Sequence, residues 1–289
     1  DLIHGKRSFD NLSISDPVVF RSDEMPLFTI TSVVDDSEYN VSHILRGDDH
    51  ITNTAAQIKL FGYLGAKIPK FGHFPLMRSK LGSGLSKRDS SFSIREFKSQ
   101  MISPLVLINY LNKIGTSLSI DEIENIERLS ENFSLSVFSK NSVLFDSEDL
   151  TRLNSKYVKN MSFNDLKGIM KIDFDQNFWD IIKQNINNLA ESEEWFKIIS
   201  GKKQIQKVNV ENDFLETLCD SLPENIDSET WSNWTQKILE NFEIKKKELY
   251  IRIRLILTGR RNGPSMNELL TLFEREEILR RISENCEKT

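Results

Sequence analysis

The sequence predicts a mixed chain, with an α/β N-terminal part followed by mostly α-helical domains. Two patterns carry that expectation. Before residue 77, short runs rich in β-branched and aromatic residues flank a segment of helical spacing, and strand, helix, strand in that order is the pattern of a parallel layer. After Ser93, apolar residues recur at helical spacing behind Ser, Pro and Gly signals.

Taken in order, residues 27–34 read LFTITSVV and predict a buried strand ended by Asp35 and Asp36. Residues 41–45 predict a second short strand. Thr52 and Asn53 offer an N-cap to a helix whose stripe is Ile51, Ala55, Ile58, Phe61 and Gly65, with Gly65 as the stop. Residues 71–76 predict a third strand, so this region holds only part of a doubly wound sheet. Ser103 and Pro104 then open a helix with Leu107, Leu111 and Ile114 on one face and Gly115 at its end. Ser147 caps a helix bearing Leu150, Leu153, Tyr157 and Met161, and Ser162 with Asp165 forms a capping box. Trp231, Trp234, Ile238 and Phe242 fall on one helical stripe, which reads as core. Residues 250–255, YIRIRL, fit a strand or a helix equally by periodicity. Gly263, Pro264 and Ser265 turn into a last helix carrying Leu269, Leu272 and Leu279.

Composition narrows the function classes. The chain has 289 residues, enough for two or three small domains, and 38% hydrophobic residues with no apolar run long enough to span a membrane. Two cysteines, Cys219 and Cys286, and four scattered histidines argue against a disulfide scaffold or a zinc site. The first residues, Asp1 to His4, show neither Met nor a signal peptide; they read as a processed or truncated start, and with so few cysteines they point to a reducing cytoplasm. The net charge is −5, yet its distribution is uneven. Residues 59–98 hold nine Lys or Arg against Asp89 and Glu96, and residues 245–289 hold eleven basic against seven acidic residues. Two basic patches on an acidic body suit a polyphosphate or RNA, and suit two solvated faces as well.

The stretch richest in chemistry is residues 81–88, LGSGLSKR. Its glycines admit close backbone approach, Ser86 supplies a hydroxyl, and Lys87 and Arg88 supply charge for a phosphate chain. Alone, that is a weak match. Its companions are Val33, Val34, Asp35 and Asp36; residues 43–50, HILRGDDH; residues 53–57, NTAAQ; residues 73–76, HFPL; residues 114–117, IGTS; and Leu257, Thr258 and Gly259. In this order and spacing the chain resembles bacterial glutamyl-tRNA synthetase, a class I aminoacyl-tRNA synthetase, in its α-proteobacterial form, more loosely between residues 167 and 247.

The resemblance implies the second half of a class I Rossmann-type nucleotide-binding fold, with the end of the acceptor-binding insertion, over residues 1–92. It implies a helical stem-contact region over 93–161 and an α-helical anticodon-binding domain over 162–289. The implied activity is ATP-dependent formation of glutamyl-adenylate and transfer of glutamate to the 3′ end of tRNA, with Mg2+ accompanying ATP, in a protein that is usually a cytoplasmic monomer. By position, Leu85, Ser86, Lys87 and Arg88 meet ATP phosphates. Lys87 is catalytic, stabilising charge on pyrophosphate, and Leu76 and Met77 frame adenine through the backbone. Arg46 pairs with the glutamate substrate, near Phe28 and Ser32, although an Arg46 tied to Asp48 and Asp49 would fit the same text. Phe28 stands where the family usually has a tyrosine, and Gly84 where many members have a lysine. Arg254 precedes Leu257 at the spacing of an arginine that reads an anticodon base, or else it holds phosphate. The first class I signature, of His-x-Gly-His type, is absent, so the resemblance implies a piece that would be inactive alone. The competing expectation is a catalytically inactive tRNA-binding chain.

Overall fold

The computed structural model describes residues 1–10, 16–79, 82, 84–85, 93–171 and 173–285. Ser86, Lys87, Arg88 and Cys286 lie outside them. The chain divides into two compact units, residues 1–96 with 103–150, and residues 97–102 with 151–289.

The first unit is built on a βαβ crossover. Strand β1 (His43–Gly47) and strand β2 (Lys70–Phe74) pair in parallel, with Ile44 opposite Phe71 and Arg46 opposite His73. Between them runs helix α2 (Ile51–Tyr63), entered through a 3-10 turn at Asp48–His50. The predicted strand, helix and strand are therefore present, shifted by one or two residues. Thr52 and Asn53 lie inside the helix rather than capping it. Gly65, at φ 65°, follows the helix end, where a left-handed residue closes the last turn.

The expected strand over residues 27–34 is instead helix α1 (Phe28–Glu38). Its β-branched residues favour a strand in isolation, and packing overrides that preference. Val33 is fully buried against Phe61 and Phe71, with Ile44, Leu60 and Ala66 around them. The hydroxyls that would crowd a helix are used within it: Thr31 Oγ1 donates to the Leu27 carbonyl, Ser32 Oγ to that of Phe28, and Ser37 Oγ to that of Val33.

A second small sheet pairs β3 (Met77–Arg78) in parallel with β4 (Val143–Leu144). Gly115, at φ 74°, passes so close that a Cβ would lie 2.3 Å from Val143 Cγ1. Helices α3 (Ile94–Ser99), α4 (Pro104–Lys113) and α5 (Ile126–Asn132) come between these strands in sequence. On α4 the expected face is the wrong one: Val106, Asn109, Tyr110 and Lys113 are buried, while Leu111 is exposed. Polar contacts decide this. Asn109 exchanges hydrogen bonds with the backbone of Glu124, Lys113 Nζ reaches the Glu122 carbonyl and the Glu124 carboxylate, and the Tyr110 hydroxyl bonds the backbone of Asp146.

The second unit is helical. Helix α6 (Ser147–Lys159) begins with the Asp146 carboxylate, not Ser147, accepting the Glu148 N–H. The helices that follow are α7 (Phe163–Ile169), α8 (Gln176–Ile182), α9 (Leu189–Ile199), α10 (Asn212–Ser221), α11 (Thr230–Asn241), α12 (Lys246–Thr258), α13 (Met266–Leu270) and α14 (Arg275–Glu284). Ser162 caps α7 with Asp165 as expected. Trp231, Trp234 and Ile238 are core residues, and Trp234 Nε1 donates to the Leu218 carbonyl at 3.1 Å. Residues 250–255 are helix, and the expected single last helix is broken between Leu270 and Arg275. Arg281 is buried on α14; it pairs with Glu277 and donates to the carbonyls of Leu257 and Ile198, so one guanidinium ties three helices.

Candidate active site and nucleic-acid groove

Arg46 is the penultimate residue of β1, at the carboxyl edge of the parallel pair, the place where α/β layers bind ligands. Its guanidinium packs 5.7 Å from the Phe71 ring. Nη2 donates to Thr54 Oγ1 and to Gln57 Oε1, each at 2.6 Å, and Nε donates to His73 Nε2 at 3.3 Å. Among the described residues, Nη1 has no partner and no carboxylate pairs with the guanidinium. The alternative of an arginine tied to Asp48 and Asp49 is thus not what the structure shows. Burial lowers the Arg46 pKa, opposed by the fields of Asp36 and Asp49. Burial likewise raises Asp36, and Arg46 pulls it back. The result is a half-buried cation oriented by neutral acceptors with a donor edge unspent, which is the requirement for capturing a carboxylate.

Gln57 links this arginine to α1. Its Nε2 donates to Ser32 Oγ at 2.6 Å, and Ser32 Oγ donates to the Phe28 carbonyl at 2.7 Å. The Phe28 ring is exposed and sits 5.5 Å from the His50 ring. Phe28, Ser32 and Arg46 are therefore brought together, as the sequence led us to expect. Gly47 is held beside them by space: a Cβ there would meet Asp49 Oδ1 at 2.5 Å and Leu76 Cδ2 at 3.3 Å. The Leu76 carbonyl accepts the Val143 N–H, Met77 is exposed in β3, and Leu85 follows Gly84, which bridges to Arg78. The phosphate-loop expectation for Ser86, Lys87 and Arg88 falls outside the described residues.

Thr54, Gln57, His73 and Asp1 received no role from the sequence. A signal existed for two of them. Thr54 and Gln57 are three residues apart and are polar, yet they share the buried face of α2 while Ile58 is exposed.

In the second unit, Arg254 faces a groove of about 950 Å3 whose lining carries Lys246, Lys247, Arg254 and Arg261 alongside Trp231 and Tyr250 and, among the described residues, no carboxylate. Arg254 Nη2 donates to the Pro264 carbonyl at 2.7 Å, whereas Nη1 is buried without a partner. Burial alone lowers its pKa. Because residues 250–255 are helical, Arg252 points elsewhere, onto Glu211 and Glu248.

A parallel βαβ layer with a half-buried arginine held by neutral acceptors near its strand ends, together with a helical unit bearing a basic groove, is the architecture of a nucleotide-binding-type α/β layer followed by a helical module with a surface suited to an anion. The comparisons with known proteins name the family. Residues 1–152 match the model of the tRNA synthetases class I (E and Q), catalytic domain, and residues 146–286 match an anticodon binding domain. The chain belongs to the class I tRNA synthetase family (E and Q).

Among curated relatives, Glutamate--tRNA ligase 1 of Rickettsia bellii (strain OSU 85-389) is 35% identical over 289 residues, covering 98% of this chain and 65% of the relative. Glutamate--tRNA ligase 2 of Bartonella bacilliformis is 38% identical over 290 residues, covering 98% and 64%. The chain thus spans about two thirds of the length of the curated relatives it matches. A crystal structure of glutamate-tRNA synthetase from Elizabethkingia anophelis superposes with a TM-score of 0.72 at 19% identity, over 99% of this chain and 64% of that one. The α-proteobacterial resemblance and the expected fold class, a partial Rossmann-type layer followed by helical domains, are borne out. No helix among the described residues is long and apolar enough to cross a membrane.

Proposed function

We propose that this chain is the glutamate- and tRNA-binding part of a glutamate–tRNA ligase of the cytoplasm. The observation that carries the reading is Arg46: half-buried, unneutralised, and aimed by Thr54, Gln57 and His73. In this reading its free edge takes a carboxylate of glutamate, close to Phe28 and Ser32. An oxygen of the glutamate α-carboxylate attacks the α-phosphorus of ATP; the new P–O bond forms as the bond to pyrophosphate breaks, giving glutamyl-adenylate and pyrophosphate. The adenylate then passes glutamate to the terminal adenosine of tRNA.

Leu76 and Met77 offer backbone groups to adenine. Leu85, Ser86 and Arg88 bind phosphates, and Lys87 meets charge as it develops on pyrophosphate, which is electrostatic stabilisation without covalent work. Mg2+ would enter with ATP on its phosphate oxygens. Arg254 and its groove take the anticodon, with Arg254 reading a base edge. The phenylalanine at Phe28 supplies no hydroxyl to the amino acid, so recognition in this chain rests the more heavily on Arg46.

The test is glutamate-dependent exchange of pyrophosphate into ATP by the full-length protein. Exchange is expected, and Lys87→Ala should slow it by about 10²–10³-fold, the loss typical of one oriented charge-stabilising group. No exchange alongside intact tRNA binding would leave the chain a tRNA-binding protein without ligase activity.

A further inference from the structure

The guanidinium of Arg46 is aimed by a second layer of residues that begins at Asp1. Asp1 Oδ1 accepts the backbone N–H groups of Ile3 and His4 at 2.9 and 2.8 Å, which fixes the carboxylate in place. Its Oδ2 stands 2.5 Å from His73 Nδ1. Both side chains are more than nine-tenths buried. On the far side of the imidazole, Nε2 lies 2.9 Å from Thr54 Oγ1 and 3.3 Å from Arg46 Nε.

These distances determine where the proton sits. A carboxylate can only accept, so Nδ1 carries the hydrogen. An arginine Nε can only donate, so Nε2 must present its lone pair. One tautomer, neutral and protonated at Nδ1, satisfies both neighbours. The Nε2-protonated form could give its hydrogen to Thr54 Oγ1, but it would set the Nδ1 lone pair against the Asp1 carboxylate and leave the Arg46 Nε–H without an acceptor.

We propose that Asp1 and His73 are a positioning pair for Arg46: Asp1 locks the His73 tautomer, and His73 then holds the guanidinium toward the glutamate carboxylate. This rests on the reading of Arg46 as the substrate-binding arginine. The use of an imidazole has a physical reason. A carboxylate in the place of His73 would orient Arg46 equally well, but it would also neutralise the charge and compete with the ligand. A neutral acceptor aligns the fork and leaves its charge for the substrate. Burial and the field of Arg46 depress the His73 pKa to about 4, so the imidazole stays neutral at working pH.

The experiment has two arms on the full-length protein. The first reads the tautomer directly from imidazole 15N shifts of labelled wild-type protein. Protonation at Nδ1 is expected, and protonation at Nε2 overturns the proposal whatever the enzyme does. The second measures the KM for glutamate and for ATP in pyrophosphate exchange for Asp1→Asn and His73→Gln. Asp1→Asn keeps the shape but turns a donor toward Nδ1, so the His73 tautomer should flip and the glutamate KM rise about 10-fold or more, with the ATP KM unchanged. His73→Gln restores an acceptor near Arg46 and should fall between wild type and Asp1→Asn. If Arg46→Lys raises the glutamate KM while Asp1→Asn leaves it unchanged, the positioning pair is refuted and the substrate reading survives. If Arg46→Lys itself has no effect, the substrate reading fails first, and the positioning role fails with it.

Discussion

Arg46 in the first unit and Arg281 in the second are both desolvated, and burial pushes both pKa values down. They differ in what their donors meet. Arg281 is spent: Glu277 neutralises it, and the carbonyls of Leu257 and Ile198 take its remaining edges. Arg46 meets only neutral acceptors, and its Nη1 meets nothing among the described residues. Arg254 stands between these cases, with one carbonyl partner and one buried nitrogen unpaired. A buried arginine that is saturated holds a fold together. One left with oriented, unspent donors is a candidate for binding an anion or a base.

That contrast can be broken most forcefully at Arg281. Arg281→Ala leaves the Leu257 and Ile198 carbonyls without the Arg281 donor, while Glu277 keeps Arg280, and should lower unfolding stability by about 2–5 kcal/mol in urea titrations. A loss under about 1 kcal/mol would mean saturation is not what marks a structural arginine here. At the other pole, Arg46→Lys should leave the urea midpoint near wild type while raising the glutamate KM of the full-length protein about 10–100-fold, because an ammonium keeps the charge and loses the planar fork. Equal effects on glutamate and ATP would move Arg46 to the structural side.

Arg254→Ala sharpens the intermediate case. Removing a half-satisfied donor should cost little stability, yet charging of the cognate tRNA by the full-length protein should weaken by about 1–3 kcal/mol, with relaxed discrimination between glutamate and glutamine tRNAs. A uniform loss for both tRNAs with a smaller salt dependence would assign Arg254 to phosphate.

The smallest expected effect is the pH dependence that His73 gives the first unit. His73 is held near pKa 4 by burial and by Arg46, with His4 and His50 adding to the shift, against an ordinary 6.5. The unfolded chain therefore takes up this proton first as the pH falls. The contribution of a neutral His73 to stability is complete above about 6.5 and is lost progressively toward about 4. Urea midpoints at pH 7 and pH 5 should differ less in His73→Gln than in wild type. Among the described residues, the lining of the groove around Arg254 holds neither a histidine nor a carboxylate.

Much of the molecule was legible in the sequence because local rules and tertiary packing agree there. The stripe of Trp231, Trp234 and Ile238 predicted core, and it is core. The order of strand, helix and strand around α2 predicted a parallel crossover, and β1 pairs with β2 in parallel. Arg46, Phe28 and Ser32 came from motif text, and the structure gathers them through Gln57.

Tertiary structure alone decided the rest. Residues 28–38 carry strand-forming side chains but wind into a helix, because Val33 is buried against Phe61 and Phe71 and the hydroxyls bond their own backbone. The inner faces of α2 and α4 are partly polar, with Thr54 and Gln57 on one and Asn109 and Lys113 on the other, so apolar periodicity found Phe61 on α2 but missed its polar neighbours, and on α4 it pointed to the wrong stripe. The partners that make Arg46 available and Arg281 unavailable lie 8 to 27 residues away for the first and up to 83 for the second. A sequence states which side chains carry charge. Whether that charge is neutralised depends on groups far along the chain that only folding brings within hydrogen-bonding range.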